Sequence, residues 1–122
     1  MKLKFGIRMD GNEHNIESLL INYISQNPGN FSYLEIGAAG CVTLNAIKTI
    51  VSNTINHLDW QVVGLDLQNG WSLDWKTISS FQGLKVNTSN LTDDNFQLVL
   101  SEDPRAFVRG HYLPQSIDIC FI

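Results

Sequence analysis

The chain has 122 residues, with 12 acidic and 8 basic side chains and a formal net charge of -4. This length allows one hydrophobic core over residues 1–122 and leaves no room for a separate substrate domain. The shortage of Lys and Arg argues against a nucleic acid partner, and no segment is long and apolar enough for a signal peptide or a membrane-spanning helix. We therefore expect a cytoplasmic protein with neither nucleic acid nor membrane as a partner.

The first elements of the chain are marked by apolar spacing. A helical stripe is followed by a helix breaker at Pro28 and Gly29. Continuous apolar character over 31–36 then predicts a strand that is buried on both faces, as in a parallel sheet. The stripe consists of Ile16, Leu19, Leu20, Tyr23 and Ile24.

The next elements repeat this order. A helical period begins near Gly40 or Val42 and continues to about His57, and residues 60–67 form a second apolar strand. An irregular helix is expected over 71–81, and a short strand over 84–86 within a polar loop.

The last third of the chain contains two further core strands. Residues 96–100 form one, and residues 117–122 form the other, at the end of the sequence. Between them, Pro104 marks the start of a short helix that Gly110 ends.

This alternation predicts an α/β fold, a Rossmann-like three-layer sandwich with a mostly parallel sheet and helices on both faces. The apolar residues at 117–122 leave a strand edge without a covering element. We therefore expect either a fold truncated after the fourth strand or an edge that a second copy of the chain completes as a homo-oligomer.

The first strand carries one acid, Glu35, and then breaks into the small residues 37–41. Such a turn allows a ligand to approach the backbone, and Gly37 and Gly40 can adopt positive φ. The first amides of the following helix then point at the ligand. Glu35 would repel an anion there and would hold an ammonium group or a zwitterion.

A second acid, Asp66, ends the second strand. The carboxyl ends of parallel strands form one edge of the sheet, where open α/β sheets bind their ligands. An acid at this position can accept hydrogen bonds from both hydroxyls of a ribose. Together the two acids predict an adenosine ligand with a cationic amino-acid end.

This combination resembles the class I methyltransferases that use S-adenosylmethionine. The first motif of that family stands here as Leu34-Glu35-Ile36-Gly37-Ala38-Ala39-Gly40-Cys41, and the second as Val63-Gly64-Leu65-Asp66. Residues 99–103 resemble the third motif, and residues 116–122 resemble the fourth strand of the members that modify small molecules and sugars.

The resemblance implies S-adenosylmethionine as the cofactor and a small-molecule methyl acceptor. It implies that the turn wraps the methionine end, that Asp66 holds the ribose, and that Glu102 or Asp103 receives the adenine amino group. Trp71 is a candidate for stacking on adenine. The implied cofactor-binding residues are Glu35, Gly37, Ala38, Gly40, Asp66, Leu67, Glu102 and Asp103.

The chain departs from the family in two respects. Ala39 and Cys41 replace two glycines of the first motif, and the strands that build the acceptor site have no counterpart, so no catalytic residue is carried over. Cys41 at a helix start could be a reactive thiol, but Glu35 nearby opposes its ionisation, so a small turn residue is the preferred interpretation. We expect Cys41 and Cys120 to be reduced thiols.

Two other functions remain open. A nicotinamide-dependent oxidoreductase shares the sheet and the ribose acid, but it requires a Gly-x-Gly-x-x-Gly turn that this chain lacks. A non-catalytic, degenerate half-domain would keep the fold and act in assembly through its exposed strand edge. The three histidines have no metal-ligand spacing, so no metal site is predicted.

Overall fold

A computed structural model of the chain describes residues 13–38, 41–57, 59–68 and 81–122. These residues form three helices and five strands in an α/β arrangement. In chain order the elements are α1 (Glu13–Gln26), β1 (Phe31–Ile36), α2 (Val42–Thr54), β2 (Trp60–Leu67), β3 (Lys85–Thr88), β4 (Phe96–Ser101), α3 (Pro104–His111) and β5 (Ile119–Phe121).

The five strands form one sheet in the order β3-β4-β2-β1-β5, and each neighbouring pair in the described residues is parallel. The chain leaves β1 toward β2 and β4 on one side, and it returns to the other side of β1 as β5. The strand order therefore reverses between β1 and β5. Doubly wound sheets bind ligands at such a switch point, outside the carboxyl ends of the strands.

The helices cover both faces of the sheet, as the sequence predicts. Tyr33 of β1 belongs to the cluster that packs α1 and α2, whereas its neighbour Leu34 belongs to the cluster around Phe107 of α3. The same alternation separates Val62 from Val63 in β2. Successive side chains of a strand point to opposite faces, so β1 and β2 are buried from both sides.

Several predicted bounds hold and several are wrong. The strands over 31–36 and 60–67 are confirmed, and the short strand predicted over 84–86 is present at Lys85–Thr88, as the third of five strands in the described residues. The last strand begins at Ile119 instead of residue 117, because ladder pairing with β1 starts at the Tyr33–Ile119 pair. The predicted helix over 71–81 lies outside the described residues, apart from Phe81.

Two predictions about helices are wrong. Gly110 does not end α3, which continues to His111. The His111 ring stacks on Phe107 at 4.0 Å, and its Nδ1 lies 2.9 Å from the Phe107 carbonyl oxygen, so these contacts hold the last turn together. In α1, Leu20 and Ile24 are buried as predicted, but Leu19 is 67% exposed.

Candidate functional site

The turn after β1 begins at Gly37. Its N–H donates to the Leu65 carbonyl oxygen at 2.8 Å, and its φ of +84° bends the chain away from the sheet. A side chain is disfavoured at such a φ, so glycine is the residue that fits this position. Ala38 is buried, and its carbonyl oxygen accepts from the Cys41 N–H at 2.8 Å. Gly40 and its neighbour at position 39 lie outside the described residues.

Cys41 caps the amino end of α2 with a φ of +61°, and its side chain makes no capping hydrogen bond. The thiol is fully buried. Burial, followed by the negative charges of Glu35 and Asp66, raises the pKa of Cys41 to about 12. A neutral, inaccessible thiol fits the small turn residue that the sequence favours and does not fit a nucleophile. Neither Cys41 nor Cys120 forms a disulfide within the described residues.

Gly64 sets how closely α2 approaches the sheet. A Cβ atom at this position would lie 2.8 Å from Leu44 Cδ2 and 3.0 Å from Ala38 Cβ. Because Gly64 has no side chain, both the loop after β1 and the first helical turn of α2 pack directly on β2. Gly64 has no predicted role in the sequence, although an isolated glycine inside a strand signals close approach of another segment.

Glu35 is 2% exposed and lies on the face of the sheet that carries α2. Within the described residues, its hydrogen-bond donor is the Tyr33 hydroxyl, 2.9 Å from Oε1. Burial raises the pKa of Glu35 to about 7, the Tyr33 hydrogen bond opposes this shift, and the charge of Asp66 adds to it. Glu35 therefore carries a partial charge near neutral pH and is excluded from solvent.

Asp66 is half-buried near the end of β2, and its Oδ1 accepts from the Leu67 N–H at 2.8 Å. Its charge acts on both Glu35 and Cys41, so the structure brings these three groups together at one edge of the sheet. Asp66 provides the more accessible side of this site, and Glu35 provides the buried side. Leu67 follows with its side chain 50% exposed, which offers an apolar surface beside the acid.

The third predicted motif lies next to the second but has a structural role of its own. The Ser101 carbonyl oxygen accepts from the Gln68 N–H at 2.9 Å, which ties the end of β4 to the end of β2. Glu102 and Asp103 are exposed, and Asp103 caps α3 by accepting from the Ala106 N–H at 3.2 Å. An adenine contact from either acid stays a prediction. Trp71 lies outside the described residues.

An apolar groove of about 550 Å³ runs beside the site, between α1, the start of α2 and β5. Leu19 lines this groove, which leaves its side chain exposed. Tyr33 and Thr43 form its boundary with the turn, and Ile119 and Phe121 form its floor on β5.

No protein-family model, curated protein or solved structure matches this chain. None of the helices in the described residues has the length and apolar character needed to cross a membrane. In the same part of the chain, no cluster of three or more His, Cys, Asp or Glu side chains is suited to hold a metal ion.

Proposed function

We propose that this chain is the cofactor-binding part of an S-adenosylmethionine-dependent methyltransferase that acts on a small molecule or a sugar. The observation that carries the proposal is a pair of acids at the carboxyl ends of β1 and β2. Glu35 is buried and Asp66 is half-buried, and the tight turn at Gly37 starts between these strand ends. This arrangement suits a ligand with positive charge at one end and hydroxyl groups at the other.

The proposed roles follow from the positions of these groups. The turn from Gly37 to Cys41 receives the methionine end, Glu35 attracts the ammonium group, and Asp66 accepts hydrogen bonds from the ribose. Leu67 offers its exposed side chain to the adenine ring. The bound cofactor supplies an activated methyl group on its sulfonium, so the protein has to align the acceptor and exclude competing reactions.

Charge argues against a dinucleotide at the same turn. A pyrophosphate placed on the amino end of α2 would meet the charge of Glu35, which already acts on Cys41 at this helix end. Like charges repel strongly where water is excluded. The buried acid Glu35, which disfavours a pyrophosphate, favours a cationic amino-acid end, and this supports S-adenosylmethionine over NAD.

Calorimetry with S-adenosylhomocysteine and NAD in parallel tests the proposal. We expect binding of the first ligand alone. The variant Asp66→Ala should bind S-adenosylhomocysteine more weakly by about 1 to 3 kcal/mol, because hydrogen bonds to a charged group are lost. Asp59→Ala is the matched control, since Asp59 lies before the amino end of β2, and it should bind as the wild type does. Equal affinity of the Asp66→Ala variant would rule out the ribose assignment.

The groove beside β5 favours a second candidate, a non-catalytic assembly module. Ile119 and Phe121 of β5 line this apolar surface, and within the described residues β5 pairs only with β1. If the chain binds neither S-adenosylhomocysteine nor NAD and sediments as a dimer at micromolar concentration, this candidate replaces the methyltransferase.

A further inference from the structure

Tyr33 and Glu35 form a buried polar pair on β1. They are two positions apart and therefore lie on the same face of the sheet, and each is 2% exposed. The phenol donates to Glu35 Oε1 at 2.9 Å. Burial and the neighbouring carboxyl raise the pKa of Tyr33 above its usual range, so the phenol remains a donor wherever the protein is folded.

The titratable groups that interact with this pair from the neighbouring elements are one acid and two thiols. Asp66 of β2 carries a negative charge, and the Cys41 thiol at the start of α2 is neutral. Cys120 of β5 contributes to the raised pKa of Tyr33. Lys48 of α2 places its Nζ 5.6 Å from the centre of the Phe96 ring. In the described part of the chain, no Lys or Arg from the helices or strands pairs with Glu35.

A buried carboxylate without a cation is costly, and one hydrogen bond offsets only part of that cost. Near neutral pH, the neutral and the charged forms of Glu35 are therefore both populated. The charged form is the one that the Tyr33 hydrogen bond stabilises, since this bond lowers the pKa of Glu35 against the effect of burial. A positively charged ligand would supply a cation that none of the described Lys or Arg residues supplies.

We propose that Tyr33 is a positioning residue that prepares Glu35 for a cationic ligand, and that binding of such a ligand at the turn expels one proton from Glu35 to solvent. This inference rests on the proposed function and adds a chemical rule for which ligands the turn selects. The neutral carboxyl loses its O–H proton to water or buffer, and the resulting carboxylate faces the ammonium of the ligand. No other bond is made or broken.

The rule separates three adenosine ligands by charge. Besides the carboxylate that both amino-acid ligands carry, S-adenosylmethionine has an ammonium and a sulfonium group and S-adenosylhomocysteine has an ammonium group as its one cation, whereas 5′-methylthioadenosine has no charged group. We expect proton release with the first two and none with the third. Release with the neutral ligand as well would show that the proton does not leave in response to ligand charge, and would overturn the proposal.

The first experiment measures Glu35 in the protein without ligand. Its side-chain carboxyl carbon is followed by NMR against pH in the wild type, in Tyr33→Phe and in Tyr23→Phe. Tyr33→Phe should move the titration midpoint upward by about one pH unit, since one hydrogen bond to the charged form is lost. Tyr23→Phe removes the same atom from a phenol that donates to Asp118, and it should leave the midpoint unchanged. An unchanged midpoint in Tyr33→Phe would refute the role of Tyr33, whether or not any adenosine ligand binds.

The second experiment counts protons by calorimetry in buffers of different ionisation enthalpy. With S-adenosylhomocysteine, release should be close to one proton at pH 6 and roughly a tenth of a proton at pH 8, as expected for a group with a pKa of about 7. Glu35→Gln should abolish the release. Equal release by the Glu35→Gln variant would overturn the proposal, whereas failure of every adenosine ligand to bind would refute the proposed function itself.

Discussion

Glu35 lies at the carboxyl end of β1, and Asp118 lies beside the amino end of the same strand, just before β5 begins. Asp118 is exposed and has a protein donor for each oxygen: the Ser32 N–H at 2.7 Å and the Tyr23 hydroxyl at 2.7 Å. Glu35 is buried and, within the described residues, accepts from Tyr33 alone.

The two acids show how a carboxylate in this fold can be assigned to structure or to a ligand. The partners of Asp118 come from α1 and β1, and its own N–H donates to the Ser32 carbonyl oxygen at 2.9 Å, so it fastens these elements to the start of β5. Glu35 fastens no second element, because its donor is on its own strand. A carboxyl group that is buried, and that joins no second element of the fold, is a candidate for ligand binding.

The largest expected effect comes from removing the charge of Glu35. Its pKa rises from about 4.5 to about 7 in the folded protein, which therefore holds this proton more tightly than the unfolded chain does. The free energy of unfolding then decreases as pH rises through this interval and is level above it. Glu35→Gln should remove this decrease, so that the variant gains roughly 2 to 3 kcal/mol relative to the wild type between pH 5 and pH 8.

Urea denaturation at several pH values measures this slope. Glu102→Gln makes the same chemical change at an exposed position and should keep the slope of the wild type. Parallel slopes for the wild type and Glu35→Gln would mean that Glu35 is charged at no cost in the folded protein, and the contrast with Asp118 would then disappear.

Gly64 tests how closely α2 packs on β2 beside the turn. Gly64→Ala would place a Cβ against the side chain of Leu44, which is fully buried, and against the Cβ of Ala38. We expect a loss of about 1 to 2 kcal/mol in the free energy of unfolding, because the crowding outweighs the gain in backbone order. Denaturant titration gives the value.

Gly110→Ala is the matched control for this substitution. A Cβ at Gly110 has no heavy atom within 4 Å, and the residue lies in α3. Alanine should therefore stabilise this variant slightly through its helix propensity. If both variants are equally stable, the close approach of α2 to β2 does not constrain the turn.

Much of the fold follows from local patterns in the sequence. Residues 31–36 are mostly apolar and lie between a Pro-Gly breaker and a glycine, so both ends of β1 are marked. The start of β5 has no such mark, because it depends on where β1 offers a partner. The end of α3 likewise depends on a ring stack between Phe107 and His111, which no spacing rule distinguishes from an ordinary helix end.

The site is less visible in the sequence than the fold. The positions of Glu35 and Asp66 follow from strand ends, but their burial depends on how α2 packs, which Gly64 decides. The Tyr33–Glu35 hydrogen bond could have been inferred, since residues two apart in a strand share a face. The helix cap at Asp103 can likewise be predicted from the sequence, because an acid directly before Pro104 is common at the start of a helix.

The smallest expected effect concerns Asp118. Asp118→Ala removes two hydrogen bonds that join α1 and β1 to the start of β5, but the site is exposed and water replaces the lost partners. We therefore expect a loss of about 1 kcal/mol in the free energy of unfolding and unchanged affinity for S-adenosylhomocysteine. Asp93→Ala, at another exposed position, should stay within about 0.5 kcal/mol of the wild type. A weakened ligand in Asp118→Ala at unchanged stability would place a binding role at the amino ends of the strands, and the distinction between the two acids would fail.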